Sequence, residues 1–322
     1  CPIKCGRYVR VEYEGVKFEV KPEYESLAML GMALGIFNVE AVLYLIYLVN
    51  ELGVDCISTG NTIAWLLEMV EKGMIKSDEF QILNNVKGFG DVKAVEELVK
   101  LIAYRRGLGA ILAEGVKRAS EILGRGSKLA VHVKGLEASG WDPRGRRAFA
   151  VSYATADIGA SSLRGWPQPH IAPSTGPAKD LIPSLIEGRD RDSIFDHLGV
   201  CKLLPYTLND LRELYIIVTG INMSLEDFRN VSARTEALMR IYAVLEWVTP
   251  EFDDRIPEKW MTPEPEGPAK GSKAFLDEAD MRKAIREYYR LRGWNVEYGI
   301  PTGELLEKLG LKWAVNDAQQ AL

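Results

Sequence analysis

The sequence has little of what several protein classes require. Its longest purely apolar run, residues 41–49, is less than half as long as the ~20 residues that a membrane-spanning helix needs. Bases do not outnumber acids, since 40 Lys and Arg stand against 45 Asp and Glu and the net charge is -5. Such a chain has no general attraction to a phosphate backbone. We therefore expect neither a membrane protein nor a nucleic-acid-binding protein.

Cysteine is also scarce. Four cysteines in 322 residues are too few for a disulfide framework, so we expect a reducing, cytoplasmic compartment. Two of the four, Cys1 and Cys5, form a CxxxC pair. This spacing indicates metal or redox chemistry. A pair of inert or oxidisable thiols is the alternative interpretation.

Strand-like alternation is rare, and helical periodicity fills most of the chain. Apolar residues recur at intervals of three and four in segments that end at glycines, a residue that takes the left-handed conformation common at helix C-termini. The predicted ends are Gly53, Gly73, Gly107 and Gly124. Asn38 is the predicted N-cap of the helix that ends at Gly53. The predicted fold class is mainly α.

The pattern is interrupted by an extended piece at 128–137 and a polar loop at 140–147. A domain boundary is expected in this region, with helical domains at 1–131 and 132–322. In the second domain, Ser224 and Asp227 form a capping-box signal for a long helix. A proline-rich linker at 262–271 precedes a last amphipathic helix.

One short pattern occurs twice. "NELGVDC" (50–56) and "DHLGVCK" (196–202) share a Leu-Gly-Val core preceded by an amide or acid. One interpretation is two unrelated helix C-caps, where Leu-Gly is common. The other is a pair of matching sites for one kind of ligand.

Several segments in this order resemble the aldehyde ferredoxin oxidoreductase family of tungsten or molybdenum pterin enzymes. They are "CPIKC" (1–5), "PEYES" (22–26), "GVDCISTGNTI" (53–63), "WDPRG" (141–145), "YATADIGA" (153–160), "LGVCK" (198–202) and "YYRLRGW" (288–294). The resemblance covers essentially the whole chain. It implies the two mostly helical domains of such an enzyme, without the N-terminal β-rich pterin domain, and a chain truncated inside its first motif.

The resemblance implies a 4Fe-4S cluster held by four cysteines. Cys1, Cys5 and Cys201 match the second, third and fourth of these, and the first would lie three positions before Cys1. Thiolates are the usual ligands of such clusters. Electrons would leave through the cluster to ferredoxin or another low-potential carrier.

The two Leu-Gly segments resemble the family's paired pterin-binding motifs. Asp55 and Asp196 match the acids that accept hydrogen bonds from pterin N-H groups, which suits a carboxylate because it is purely an acceptor. Asn50 stands where an Asp is usual and has lost the charge. Arg164 stands where a Lys is frequent and would clamp an anionic group. The alternative for each is a surface charge or a helix cap.

Glu25 matches the family's active-site glutamate, a group that could hold or move a proton beside the metal. A helix-start acid, as expected for the adjacent Glu23, is the alternative. Ser162 takes the place of a histidine that aldehyde-oxidising members usually have. A hydroxyl can donate a hydrogen bond but cannot serve as a base near neutral pH. His170 lies a few residues further on, and an ordinary loop histidine is the interpretation that we favour.

Cys56 directly follows Asp55. The tungsten subunit of the related benzoyl-coenzyme A reductase has a cysteine ligand to the metal, and a thiolate is a soft donor that suits tungsten or molybdenum. The alternative is a buried, inert cysteine.

The leading hypothesis is an aldehyde-oxidising enzyme with a tungsten or molybdenum bis-pterin centre and a 4Fe-4S cluster. A homo-oligomer is compatible with this hypothesis. The first rival is a low-potential reductase of the benzoyl-coenzyme A reductase type, which Cys56 and Ser162 favour. The second rival is a catalytically silent helical fragment.

Overall fold

The computed structural model describes residues 3–165 and 177–320. This part of the chain forms fourteen α-helices and four short strands. The predicted mainly α class is confirmed. Cys1 and His170, both considered above, lie outside the described residues.

Two compact units are formed. Unit 1 comprises Cys1–Trp141 with Pro257–Lys259, and unit 2 comprises Asp142–Ile256 with Trp260–Leu322. The division falls inside the polar loop at 140–147, ten residues beyond the predicted limit of 131. Residues Pro257–Lys259 belong to unit 1, although the chain before and after them belongs to unit 2. The sequence pattern does not predict this.

Unit 1 is a helical layer with two small hairpins. Its strands and helices are β1 (Val9–Tyr13), β2 (Val16–Val20), α1 (Tyr24–Leu30), α2 (Val39–Leu52), α3 (Cys56–Glu71), α4 (Val92–Ala103), α5 (Leu108–Leu112), α6 (Gly115–Leu123), β3 (His132–Val133) and β4 (Leu136–Glu137). The strands pair antiparallel as β1–β2 and β3–β4. The β1–β2 hairpin lies where no strand is predicted, whereas β3 and β4 lie within the extended piece predicted at 128–137.

The core of unit 1 is built by the apolar faces of α2, α3 and α4. Fully buried residues include Leu45, Leu66 and Leu98. Side-chain caps fix where these helices begin: Asn38 accepts a hydrogen bond from the amide of Ala41, as predicted, and Asp55 and Asp91 cap the next two helices in the same way.

The predicted helix that ends at Gly124 is interrupted. Gly115 has a φ of +80°, and a Cβ at this position would lie 2.7 Å from Oε1 of Glu137. The same carboxylate accepts a 2.6 Å hydrogen bond from the amide of Val116 and so caps a separate helix, α6. A contact with a residue 21 positions away therefore overrides the local periodicity.

Unit 2 contains the remaining helices. They are α7 (Ala148–Thr155), α8 (Ile182–Leu198), α9 (Leu208–Thr219), α10 (Leu225–Glu246), α11 (Pro250–Asp253), α12 (Glu278–Arg292), α13 (Gly303–Lys308) and α14 (Val315–Gln320). The long helix α10 begins with the predicted capping box of Ser224 and Asp227. Helical periodicity does not predict helix α8, although the C-cap interpretation of the second Leu-Gly segment implies its end at Gly199.

Charged residues occupy core positions of unit 2. Arg189 on α8 lies 3.0 Å from Glu236 on α10, and Arg240 on α10 lies 2.6 Å from Asp254. All four side chains are at most a tenth exposed. Buried charges persist in proteins when they are paired and hydrogen-bonded, and here the pairs link the helices of the unit.

Within the described residues no single helix is long and apolar enough to span a membrane. One pair of helical segments, Tyr24–Leu34 and Val39–Leu52, passes the length and composition test together but is bent by 118°. Buried residues of α2 belong to the core of unit 1.

Candidate active site

In unit 1, the site predicted around Glu25 is built on the first turn of α1. The carboxylate of Glu25 accepts a 2.7 Å hydrogen bond from the amide of Gly140 and another from the side chain of Trp141. Tyr24 donates its hydroxyl to the carbonyl of Gly140 at 3.0 Å, and its ring lies 4.7 Å from that of Trp141. The chain at 140–141 therefore holds Glu25 in one orientation. Glu23 instead stays exposed and pairs with Lys21.

Burial raises the pKa of Glu25 above its ordinary range. The hydrogen bonds from Gly140 and Trp141 act in the opposite direction because they stabilise the ionised form, and the negative charge of Asp55 adds to the rise. A carboxyl group in this environment can keep a proton at a pH where an exposed one would lose it. This is the property expected of a group that holds or moves a proton.

Cys56 lies beside Glu25. Its Sγ accepts a 3.3 Å hydrogen bond from the hydroxyl of Ser26, the residue that follows Glu25. Burial raises the pKa of the Cys56 thiol, the Ser26 hydrogen bond lowers it, and the charges of Asp55 and Glu25 raise it further. The structure thus brings together three of the predicted site residues: Glu25, Asp55 and Cys56.

The close packing of α1 on α3 makes this arrangement possible. A Cβ at Gly60 would lie 2.3 Å from the carbonyl oxygen of Met29. Only a glycine lets the two backbones approach so closely. The packing places the start of α3, where Asp55 and Cys56 lie, against the turn of α1 that carries Glu25.

Asp55 has a structural partner as well. Its carboxylate accepts a 2.6 Å hydrogen bond from the amide of Ser58, as the N-cap of α3. The hydroxyl of Ser58 donates to the buried carboxylate of Glu137 at 2.9 Å. Sequence reasoning missed Ser26, Ser58 and Glu137, and no local signal marks them, because each acts through a partner distant in sequence.

In unit 2, Asp196 is half-exposed and forms a 2.8 Å ion pair with Lys202. Arg164 lies 3.2 Å from Asp157, and Ser162 is buried in the loop just before Arg164. Cys201, directly before Lys202, is an exposed free thiol. Lys202 was not predicted, although it is the last residue of the second Leu-Gly segment.

The two Leu-Gly segments have the same local geometry. Gly53 and Gly199 end α2 and α8 with φ values of 67° and 63°. The valine after each glycine donates to the carbonyl five residues earlier, from Val54 to Val49 and from Val200 to Phe195. Both are Schellman caps, so each segment does end a helix. That the two segments bind one kind of ligand stays a prediction. Asn50 is an exposed residue of the first cap, and its carbonyl accepts from Gly53.

Within residues 3–165 and 177–320, no three His, Cys, Asp or Glu side chains converge on a metal position. The free, exposed thiols of Cys5 and Cys201 nevertheless have the donor chemistry that an iron–sulfur cluster requires. The thiol of Cys56 and the carboxylate of Asp55 are likewise a soft donor and a pure acceptor. The donor chemistry of these residues fits the implied groups.

The described residues form two mainly helical units, and unit 1 carries a carboxylate–thiol cluster. The family described as "Aldehyde ferredoxin oxidoreductase, domains 2 & 3" matches residues 1–311. The chain therefore belongs to the aldehyde ferredoxin oxidoreductase family.

Relatives of this chain include two proteins of Pyrococcus furiosus. A tungsten-containing aldehyde ferredoxin oxidoreductase is 34% identical over 97% of this chain and 51% of its own length. The WOR-like subunit of an aliphatic sulfonate oxidoreductase is 31% identical over 99% of this chain and 51% of its own length. The chain thus spans about half the length of these curated relatives.

Among solved structures, the active-site complex BamBC of benzoyl-coenzyme A reductase, bound to 1,5-dienoyl-CoA, has a similar fold. The TM-score is 0.79 at 21% identity, over 99% of this chain and 53% of that one. At this identity the likeness shows the shared fold.

Proposed function

We propose that this chain supplies the helical part of an oxidoreductase that oxidises an aldehyde to a carboxylic acid. The observation that carries the proposal is the meeting of Glu25, Asp55 and Cys56 where α1 packs on α3. Tungsten-containing aldehyde ferredoxin oxidoreductases among the relatives support it. We place the enzyme in a reducing cytoplasm, with ferredoxin as its electron acceptor.

A tungsten or molybdenum bis-pterin centre would take up two electrons from the substrate, and a 4Fe-4S cluster would pass them on singly. Asp55 and Asp196 would accept hydrogen bonds from the two pterins, with Asn50 as a weaker acceptor. Arg164 would bind an anionic group of the cofactor. Cys1, Cys5 and Cys201 would hold the cluster.

Glu25 holds or moves a proton in this proposal. Gly140 and Trp141 fix its carboxylate, so the group does not need to reorient between turnovers. Its raised pKa brings the protonated form closer to working pH. Ser162 donates one hydrogen bond to the substrate and leaves the proton transfer to Glu25.

The test is metal, iron and pterin analysis of anaerobically purified holoenzyme that contains this chain. We expect tungsten or molybdenum, pterin and four irons per chain. Cys201→Ser should abolish the visible absorbance of the cluster and its full iron content, whereas Cys56→Ser should keep all four irons. Wild-type protein without tungsten, molybdenum and pterin would contradict an enzymatic role and favour a catalytically silent helical protein.

A second candidate is a low-potential reductase of the benzoyl-coenzyme A reductase type. Cys56 supports it, because the half-buried thiol beside Glu25 and Asp55 would be a soft donor to the metal. X-ray absorption at the metal edge separates the two functions. Loss of one sulfur neighbour in Cys56→Ala favours the reductase, and unchanged sulfur coordination favours aldehyde oxidation.

A further inference from the structure

The loop at 161–165, which carries Ser162 and Arg164, is held through its backbone. The hydroxyl of Ser152 on α7 lies 3.1 Å from the carbonyl oxygen of Gly165 and 3.3 Å from that of Arg164. Gly165 has a φ of +121°, and a Cβ there would lie 2.1 Å from Cγ of Arg189. The end of the loop therefore packs tightly against Arg189 on α8.

A second anchor reaches the loop from the Leu-Gly segment. The ammonium group of Lys202 donates a 3.0 Å hydrogen bond to the carbonyl of Leu163 and a 2.8 Å hydrogen bond to the carboxylate of Asp196. The Lys202 side chain is 21% exposed and that of Asp196 is 52% exposed, so solvent weakens the ion pair at its Asp196 end. One cation thus joins the backbone of the loop to the acid of the second motif.

We propose that Lys202 is a positioning residue of the active site. It fixes the loop of Ser162 and Arg164 against Asp196, and it places a positive charge one residue away from Cys201. A lysine ammonium suits this task because its three donors can serve two acceptors at once. The inference rests on the proposed function, since it assigns the loop and Asp196 to the same catalytic centre.

Two effects follow from the two contacts. Loss of the Leu163 contact should let the loop separate more often from the rest of unit 2. Loss of the charge should make the cluster harder to reduce, because a nearby cation stabilises the more negative, reduced form. A residue that only stabilised the fold would not change the reduction potential in this charge-dependent way.

The experiment compares Lys202→Met, Lys202→Arg and Ser152→Ala in holoenzyme. Loop opening is measured by the initial rate of trypsin cleavage after Arg164, with cleavage after Arg144 as the internal reference. The potential is measured by a redox titration of the cluster, followed by electron paramagnetic resonance. Thermal unfolding identifies any variant that fails to fold, and Lys202→Arg tests rescue by the retained charge.

We expect cleavage after Arg164 to be about tenfold faster in Lys202→Met, since hydrogen bonds to charged groups contribute measurably to local stability. Ser152→Ala should also speed cleavage, because it removes the other anchor. Only Lys202→Met should shift the cluster to a more negative potential. Unchanged cleavage in Lys202→Met overturns the positioning role, and an unchanged potential overturns the charge role.

Failure of the proposed function gives a different result. Wild-type protein that lacks four irons contradicts the proposed function and, with it, the charge role of Lys202. Cleavage rates of the variants and of wild type are compared in protein of equal iron content, so they still decide whether Lys202 anchors the loop.

Discussion

The carboxylate of Glu25 accepts a hydrogen bond from the amide of Gly140, 115 residues further along the chain. The space around Gly140 is closed, because a Cβ there would lie 2.6 Å from Cβ of Ala28 and 3.3 Å from Oε2 of Glu25. The orientation of the predicted catalytic carboxylate therefore depends on a glycine that is distant in sequence but adjacent in the fold. The "WDPRG" motif begins directly after this glycine, at Trp141.

Glu25→Gln should reduce the pH dependence of stability. Burial raises the pKa of Glu25, so the native state binds this proton more tightly than the unfolded state, whose value is about 4.3. Stability therefore falls as the pH rises from the unfolded value through the raised native value. The variant has no ionisable group here and should lose less stability than wild type between about pH 4 and pH 7.

Urea unfolding at a series of pH values measures this difference. Glu23→Gln is the matched control, because Glu23 is exposed and pairs only at the surface with Lys21. Its pH profile should run parallel to that of wild type. A parallel profile for Glu25→Gln would show that the raised pKa of Glu25 does not contribute to stability.

Gly60→Ala should destabilise unit 1 although alanine is the better helix former by about 1 kcal/mol. The new Cβ would lie 2.3 Å from the carbonyl oxygen of Met29, a backbone atom that cannot rotate away. Forcing α1 from α3 should cost about 1–3 kcal/mol. Gly303→Ala on α13 is the control, since its Cβ would meet Val315 at an ordinary 3.5 Å. Chemical denaturation should find the control neutral or slightly stabilised, and equal effects at both sites would refute the steric argument.

Ser26→Ala should slow the alkylation of Cys56. The hydroxyl of Ser26 donates to Sγ and lowers the pKa of a thiol that burial has raised. Without this hydrogen bond the thiolate fraction falls, and the thiolate is the nucleophile. We expect a decrease of about fivefold in the rate with iodoacetamide, which corresponds to about 1 kcal/mol for a neutral hydrogen bond. Mass spectrometry of the apo-protein measures this rate, with exposed Cys201 as the unaffected reference. A rate that stays equal or rises would contradict this role of Ser26.

The elements that could be predicted from sequence are those whose apolar residues follow one helical face. Helix α10 begins at its predicted capping box, and α2 begins at Asn38 and ends at Gly53 as expected. Helix α8 could not be found in this way. Its buried residues include Gly188, Arg189 and Asp192, so ion pairs and backbone contacts take the place of an apolar stripe.

Motifs identified the residues of the candidate site, but not the contacts between them. Glu25, Asp55 and Cys56 were each predicted from a short segment. Gly140, the partner of Glu25, and Ser26, the partner of Cys56, were not predicted. Each of these hydrogen bonds joins segments that are distant in sequence, and such a contact produces no periodic pattern in the chain. The assignment of Cys1, Cys5 and Cys201 to one cluster remains a prediction.

Asp254→Asn should strongly destabilise unit 2. Asp254 and Arg240 are both buried, and their side chains form two hydrogen bonds, of 2.6 and 3.1 Å. Removal of one charge leaves a buried guanidinium without its counter-charge, which typically costs about 3–5 kcal/mol.

Glu278→Gln is the control, because its pair with Arg282 is partly exposed and should contribute less than about 1 kcal/mol. Replacing both partners, in Arg240→Met with Asp254→Leu, should recover only part of the loss. The unpaired charge is gone, but the buried Gly299 carbonyl and Tyr289 hydroxyl lose their hydrogen-bond partners. Urea unfolding of the three variants decides the matter: a loss below about 1 kcal/mol in Asp254→Asn would mean that Arg240 finds another counter-charge or reaches water.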